Sequence, residues 1–129
     1  MLECASEVAV AVSDLKKRTK VFALDVVRLI GTLPHNNITT VIERQLLRSA
    51  TSVGANYRSA CFAKSKADFI SKMCIVQEEA DESVYWLELL EESGIARSGE
   101  IRRLKKEGSE LLSIAISSIK TAKKHLAGT

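Results

Sequence analysis

The sequence predicts an all-α protein, an antiparallel up-down-up-down four-helix bundle. Residues 40–92 contain no proline and one glycine, and apolar residues recur there every three or four positions, as on amphipathic helices. The whole chain has one proline and only 5% aromatic residues, a composition that disfavours a β-sandwich. Its 129 residues suffice for one domain. We therefore predict an amino-terminal segment at residues 1–12 and a bundle domain at residues 13–126.

The first two helices are indicated by an apolar stripe, a stop and a capping pattern. Helix one is predicted from about Ser13 to Leu33, where Pro34 prevents continuation, and residues 3–12 are a candidate extension. Helix two is predicted to begin at Thr40, because Thr40 and Glu43 have the spacing of a capping box. The predicted core residues of helix two are Ile42, Leu46, Ser49, Val53, Tyr57 and Ala60.

Helices three and four follow from a second capping pattern and a glycine. Ser65 and Asp68 have capping-box spacing at the start of helix three, and Gly94 can supply its left-handed end. Helix four is predicted to begin near Ser98. The short connections favour antiparallel neighbours. The predicted core face of helix three is Phe69, Met73, Val76, Ala80, Val84, Leu87 and Glu91, and that of helix four is Ile101, Leu104, Leu111, Ala115, Ile119, Ala122 and Leu126.

Charge is unevenly distributed along the chain, although the net charge is only +3. Residues 75–96 carry about −7 and lie between residues 39–74, with about +4, and residues 97–129, with about +5. In an antiparallel bundle these segments become neighbours. Two interpretations follow: the charges neutralise one another across helix seams, or a basic face binds a partner.

The cysteines and the apolar runs indicate a compartment. Cys4, Cys61 and Cys74 show no paired framework, which is typical of a reducing environment. The apolar run at residues 2–12 is too short to span a bilayer. We expect a cytoplasmic protein without membrane contact.

Residues for catalysis or metal binding are scarce. Glu78 and Glu82 share one helix face, but the Glu-x-x-His pairs of a dimetal bundle are absent, and His35 and His125 are the only histidines. No base is placed to activate a serine, and a cysteine such as Cys61 is more often a small buried hydrophobe than a nucleophile. We expect no enzyme, no metal and no cofactor.

Helices two and three carry more apolar surface than one seam requires. Such a surplus with large aromatic residues predicts a homo-oligomer interface, with a monomer as the alternative. The candidate interface residues are Leu47, Gly54, Cys61, Ile75, Tyr85 and Trp86.

Polar residues on the same two helices predict a structural network. We expect Asn56 to hydrogen-bond across the bundle to helix three, since an unpaired amide in a seam is costly. The candidate network comprises Arg48, Asn56, Glu78, Glu79 and Glu82.

Basic residues suggest a surface for phosphate groups. They crowd the start of helix four, where the helix dipole favours acidic residues, and two more arginines lie on helix two. The helix-two arginines could instead pair with the carboxylates of helix three. The candidate nucleic-acid contacts are Arg97, Arg102, Arg103, Lys105, Lys106, Arg44 and Arg58.

Several runs carry a family resemblance. Residues 22–29 (FALDVVRL), the Leu33-Pro34 stop, residues 43–56 (ERQLLRSATSVGAN) and the block from residue 78 (EEADE) to Leu90 resemble bacterial four-helix bundle proteins encoded within intervening sequences of 23S rRNA genes. The resemblance covers roughly residues 14–125. Many relatives continue after the asparagine with Ile-Ala-Glu-Gly, whereas residues 57–60 here read YRSA, so no role of that glutamate carries over.

The resemblance implies a small cytosolic homo-oligomer, commonly a ring of five bundles, without known enzymatic activity. The similar accessory protein of diversity-generating retroelements implies RNA or DNA as a partner. The function expected from the sequence is a non-enzymatic, homo-oligomeric bundle that binds structured RNA or other nucleic acid through basic surface. The alternative is a protein–protein scaffold or accessory module without a nucleic-acid role.

Overall fold

Four α-helices form the part of the chain that the structure describes, and the predicted four-helix bundle is confirmed. The computed structural model describes residues 2–96 and 98–127, with side chains described for residues 11, 12, 14–96 and 98–126. Helices adjacent in the order α1–α2–α3–α4 pack together, and α4 closes the ring against α1. Within these residues no strand occurs. The helices are α1 (Leu2–Gly31), α2 (Asn37–Ala60), α3 (Lys66–Glu92) and α4 (Gly99–Ala127).

The start of α2 differs from the prediction at Thr40. Asn36 is the cap: its Oδ1 accepts the amides of Ile38 at 2.9 Å and Thr39 at 3.0 Å. Thr39 Oγ1 in turn accepts a hydrogen bond from the Asn36 amide at 2.8 Å, so the capping box lies at residues 36–39. The Thr40 amide already donates to the Asn36 carbonyl, which makes Thr40 part of the helix. Glu43, the other half of the predicted box, is buried and lies beside His35 instead.

The predicted ends of helices three and four agree with the structure, with one change in detail. Helix α1 begins at Leu2 rather than Ser13, so the candidate extension at residues 3–12 is helical, and it ends at Gly31, two residues before the predicted Leu33. Ser65 Oγ accepts the Asp68 amide at 3.1 Å and caps α3, but Asp68 Oδ2 accepts the Lys64 amide rather than that of Ser65. This bond, followed by the Lys72 ammonium, lowers the pKa of the Asp68 carboxyl. Gly94 has a φ of 77° just beyond α3, as predicted for a left-handed end. At the start of α4, the Ser98 hydroxyl accepts a hydrogen bond from the Ile101 amide.

The buried residues match the predicted core stripes, except on α3 and at the end of α4. The whole predicted set on α2 is buried. On α3, Ser83 and Leu90 are buried, whereas the predicted Val84 and Glu91 are only partly so. The observed spacing alternates three and four residues, which is the repeat of a packed helix seam; the predicted set takes two four-residue steps in succession, from Val76 to Ala80 to Val84, and so leaves that seam. At the end of α4, the predicted core residue Leu126 is exposed. Among the described side chains of this helix, the buried core ends at Ile119.

Candidate interaction surfaces

The basic cluster at the start of α4 is largely neutralised. Arg103 bonds Glu100 on its own helix and Asp25 of α1, whose Oδ2 lies 2.8 Å from Arg103 Nη2. These two bonds raise the pKa of Arg103, the bond to Glu100 having the larger effect. Lys105 Nζ lies 3.1 Å from Glu91 Oε1 of α3. Two of the predicted phosphate contacts are therefore occupied by carboxylates.

The other predicted phosphate contacts remain exposed or lie outside the described residues. Arg102 is 81% exposed at its side chain, and its Nε lies 4.0 Å from Glu91 Oε2, a weak contact. Lys106, Arg44 and Arg58 are exposed, and no carboxylate pairs with them among the described side chains. Arg97 falls outside the described residues.

The predicted polar network exists only in part. Arg48 of α2 reaches α3, where it bonds Glu82 and places its Nη1 3.1 Å from Glu79 Oε2. The expectation for Asn56 is wrong: its Nδ2 donates to the Ser52 carbonyl at 2.8 Å and to the Ser52 hydroxyl at 2.9 Å. A polar side chain can bond one turn back on its own helix, so Asn56 needs no partner across the seam. Glu78 is exposed and has no cation partner in the described part of the chain.

A hydroxyl pair replaces Asn56 as the buried polar contact between α2 and α3. Ser49 and Ser83 are both fully buried, and their Oγ atoms lie 3.0 Å apart. The spacing of Ser49 among the core residues of α2 was the sequence signal for this contact. Ser83 had no such assignment, since the predicted face of α3 passed through Val84.

The six candidate interface residues divide into outer and inner positions. Leu47 and Ile75 are each 38% exposed, and Tyr85 is 51% exposed. Trp86 is half-buried with its indole N–H enclosed and lacking a hydrogen-bond partner among the described residues. Gly54 is buried: a Cβ there would lie 3.4 Å from backbone and side-chain atoms of Thr19 in α1. Cys61 is partly buried against the core.

Cys61 also borders an apolar cavity of about 510 Å³ at the end of the bundle where α2 meets α3. Tyr57 lines the same cavity, and burial, then the neighbouring Cys61, raises the pKa of its hydroxyl. The phenol is therefore protonated at neutral pH. Within the described residues, no three metal-ligating side chains come together, and no helix is long and apolar enough to cross a membrane.

A groove between α1 and α2 brings one predicted phosphate contact, Arg58, together with two lysines that the sequence interpretation left out. It encloses about 200 Å³. Lys16 and Lys20 of α1 and Arg58 of α2 line it, and none has a carboxylate partner among the described side chains. The run Lys16-Lys17-Arg18-Lys20 was the available sequence signal. We call this groove, with its three cations, the basic groove. The remaining lining residues are Thr19, Ala23, Thr51, Gly54 and Ala55.

The outer side of α3 has the opposite charge. Its carboxylates recur at helical spacing, lie on the side away from the core, and have no cation partner in the described chain. Ile75 and Tyr85 lie along the same side and are exposed. We call this side the acidic ridge; its carboxylates are Glu78, Asp81, Glu88 and Glu92.

Comparison with known proteins identifies the family. The family model for the 23S rRNA-intervening sequence protein matches residues 13–117. A crystal structure of a protein of unknown function from the S23 ribosomal protein family of Bacteroides thetaiotaomicron VPI-5482 is similar, with 38% identity and a TM-score of 0.76. The alignment covers 82% of this chain and 98% of that one. No curated protein matches. Since the family model spans most of the 129 residues, the chain belongs to the family of 23S rRNA-intervening sequence proteins.

Proposed function

We propose that this protein is a non-enzymatic scaffold that assembles with further copies of itself. The observation that supports self-assembly is the amount of large apolar side chain on the outer surface. Val21, Leu24 and Val27 are 42%, 42% and 49% exposed on successive turns of α1. On α2, Ile38 and Val41 are 66% and 59% exposed, one turn apart. Contiguous exposed apolar residues of this kind mark interaction sites on soluble proteins.

Light scattering coupled to size exclusion tests self-assembly. We expect a mass several times the 14.2 kDa of one chain, and the family resemblance implies five copies. Leu24→Glu with Val27→Glu should lower that mass, because each change places a carboxylate in a dry contact. The matched control is Ser113→Glu with Ser117→Glu, which introduces the same two carboxylates at exposed positions of α4. A monomer at micromolar concentration would contradict self-assembly.

We further propose, as a second function, that the assembly binds RNA or other nucleic acid. The supporting observation is that Arg102 and Lys106 lie one turn apart on α4, and both are exposed. Repeated around an assembly, these cations would form a positive surface for phosphate groups. The proposed similarity to the accessory protein of diversity-generating retroelements points to the same class of partner.

Retention of structured RNA on the immobilised protein tests this second function. Binding should weaken as the salt concentration rises. The logarithm of the binding constant should fall against the logarithm of the salt concentration with a slope of about 0.7 to 0.9 per phosphate contacted. Arg102→Glu with Lys106→Glu should reduce retention strongly, whereas Arg28→Glu, at an arginine paired with Asp25, changes one charge elsewhere and should matter less. If the unaltered protein retains neither RNA nor DNA at low salt, a protein–protein scaffold without a nucleic-acid role takes the place of this proposal.

A further inference from the structure

We propose that the acidic ridge of one copy docks into the basic groove of a second copy. This contact would join two different surfaces of the same chain. The proposal rests on the proposed self-assembly and adds which surfaces meet. Its basis is that the two surfaces carry opposite charges left unpaired after the ion pairs within one chain have formed.

The pairing within one chain is selective. Arg18 of α1 faces α4, where it bonds Glu107 and Glu110, and its Nε lies 3.2 Å from Glu107 Oε2. Lys16 and Lys20, two residues away on either side, face α2 instead and line the basic groove. The neighbouring walls of that groove contain Thr51, Ala55 and other short side chains but no carboxylate. Lys16 Nζ lies 5.2 Å from the centroid of the Phe62 ring, a contact that leaves its charge in place. The positive charge on this side of α1 is therefore not neutralised by the described part of the chain.

The acidic ridge has the matching charge and shape. Glu78 and Asp81 are exposed and lie about one turn apart, so both carboxylates project from the same side of α3. Ile75 and Tyr85 flank them along the helix and add apolar surface. Helices pack by inserting such ridges into grooves of the neighbouring surface.

The floor of the basic groove suits a close helix. Gly54 and Ala55 present almost no side chain, and Thr19 is 2% exposed. By helical spacing, Leu24 continues the rim that Lys20 begins on α1, and Leu47 continues the α2 rim one turn before Thr51. The groove thus offers small residues at its centre, cations beside them and apolar residues further along. The ridge carries carboxylates between Ile75 and Tyr85.

A contact between two different surfaces leaves one groove and one ridge unoccupied in every dimer. A third copy can then add in the same way, so the assembly either closes as a ring or continues as a filament. Opposite charges also restrict the alternatives, because groove against groove and ridge against ridge would each bring like charges together.

Charge reversal with mutual rescue tests the proposal. Lys16→Glu, Lys20→Glu and Arg58→Glu together should raise the dissociation constant of the assembly by at least about tenfold. Glu78→Lys with Asp81→Lys should have a similar effect. An equimolar mixture of the two variants should recover assembly, because each supplies one unaltered surface and one reversed surface that now matches. The two variants must alternate, so the recovered mass should correspond to an even number of copies or an open chain rather than to five copies. Light scattering measures the mass, and circular dichroism confirms that each variant is helical.

The matched control is Lys120→Glu, Lys123→Glu and Lys124→Glu, which makes the same change in net charge at exposed lysines of α4. This triple variant should assemble normally. Mixed with the Glu78→Lys, Asp81→Lys variant, it offers an acidic ridge to that variant's groove but no acidic groove to its reversed ridge, so assembly should stop at each copy of that variant. A wild-type assembly that survives both reversals overturns this docking contact while leaving self-assembly intact. A wild-type monomer contradicts both.

Two further outcomes separate a nucleic-acid groove from a protein contact. If the groove reversals abolish RNA retention but leave the mass unchanged, the groove binds phosphate and the docking contact is overturned. Ala55→Trp provides a test without any charge change, since a bulky side chain would fill the groove; it should weaken assembly. Ser59→Trp, one turn further along α2 and outside the groove lining, should not.

Discussion

The basic groove and the amino-terminal half of α4 contain the same kinds of residue in opposite circumstances. At α4, Arg103 and Lys105 are held by Asp25 and Glu91 from two other helices. In the groove, Lys16 and Lys20 have no carboxylate neighbour among the described side chains, and Lys16 Nζ lies 5.2 Å from the centroid of the Phe62 ring. Counting charge along the chain favours α4 as the basic surface. The difference teaches that a cation is available to a partner only when no neighbouring helix supplies a carboxylate.

The two regions also differ in how tightly their glycines are enclosed, which gives the largest predicted effect. A Cβ at Gly108 would lie 2.9 Å from Val84 Cγ2, and the Phe22 ring is 3.4 Å away. Gly108→Ala should therefore cost about 1–2 kcal/mol of unfolding free energy, because the overpacking exceeds the gain in helix propensity. Urea denaturation measures the loss.

The corresponding change beside the groove should be mild. At Gly54 an added methyl group meets Thr19 atoms at 3.4 Å, and alanine gains about 1 kcal/mol in helix propensity over glycine. We expect Gly54→Ala to alter the unfolding free energy by less than about 1 kcal/mol. Gly31→Ala, with no atom within 4 Å of the new methyl group, is the control. Equal losses at Gly108 and Gly54 would remove the distinction in packing.

A second prediction compares single cations. Arg103→Ala breaks bonds to Glu100 and Asp25, and it should cost about 0.5–1 kcal/mol, the range of a well-formed surface network. Lys20→Ala breaks no ion pair in the described chain and should change stability by less than about 0.5 kcal/mol. Both values come from denaturant midpoints at low salt. A larger loss at Lys20 than at Arg103 would show that the groove lysine is engaged within one chain.

The smallest predicted effect is on pH dependence. The bond from Arg103 lowers the pKa of the Glu100 carboxyl. A carboxyl whose pKa is lower in the folded state stabilises the protein above its unfolded pKa, near 4.3, and loses that contribution as the pH falls further. Arg103→Ala should make the decline in stability below about pH 4 shallower. Lys16→Gln with Lys20→Gln should leave this decline in stability unchanged, because no carboxylate lines the groove. A change in the decline below about pH 4 would indicate a carboxylate near these lysines.

Much of the fold could be predicted because helix patterns are local. Core spacing, Ser65 as a cap and Gly94 as a stop each depend on residues within one turn. The start of α2 was misplaced because Asn36 and Thr40 both resemble caps. The two are distinguished by the hydrogen bonds in which the Asn36 amide donates to Thr39 Oγ1 and Asn36 Oδ1 accepts from the Thr39 amide.

The candidate surfaces could be predicted less well, because they depend on which helices meet. Arg103 and Asp25 are 78 residues apart in sequence, so no local sequence pattern predicts the hydrogen bond between them. Lys20 of α1 and Arg58 of α2, which lie on opposite sides of the groove, are likewise brought together only by the packing of the two helices. Arg48 was a more favourable case, since adjacent helices in a bundle are joined by a short turn and its acidic partners lie on the next helix.

The buried hydroxyls of Ser49 and Ser83 have a consequence for alignment. Aliphatic seams tolerate sliding, since one leucine can replace another after a shift of one turn, about 5.4 Å. Sliding α3 along α2 by that distance would separate the two hydroxyls. Each can also donate one turn back on its own helix, Ser49 to the Leu46 carbonyl at 3.2 Å and Ser83 to the Glu79 carbonyl at 2.8 Å. Sliding would therefore forfeit only the hydrogen bond between the helices, worth about 1 kcal/mol. This bond, together with the ion pairs from Arg48 to Glu79 and Glu82, favours one alignment of α2 and α3 over alignments shifted by a turn.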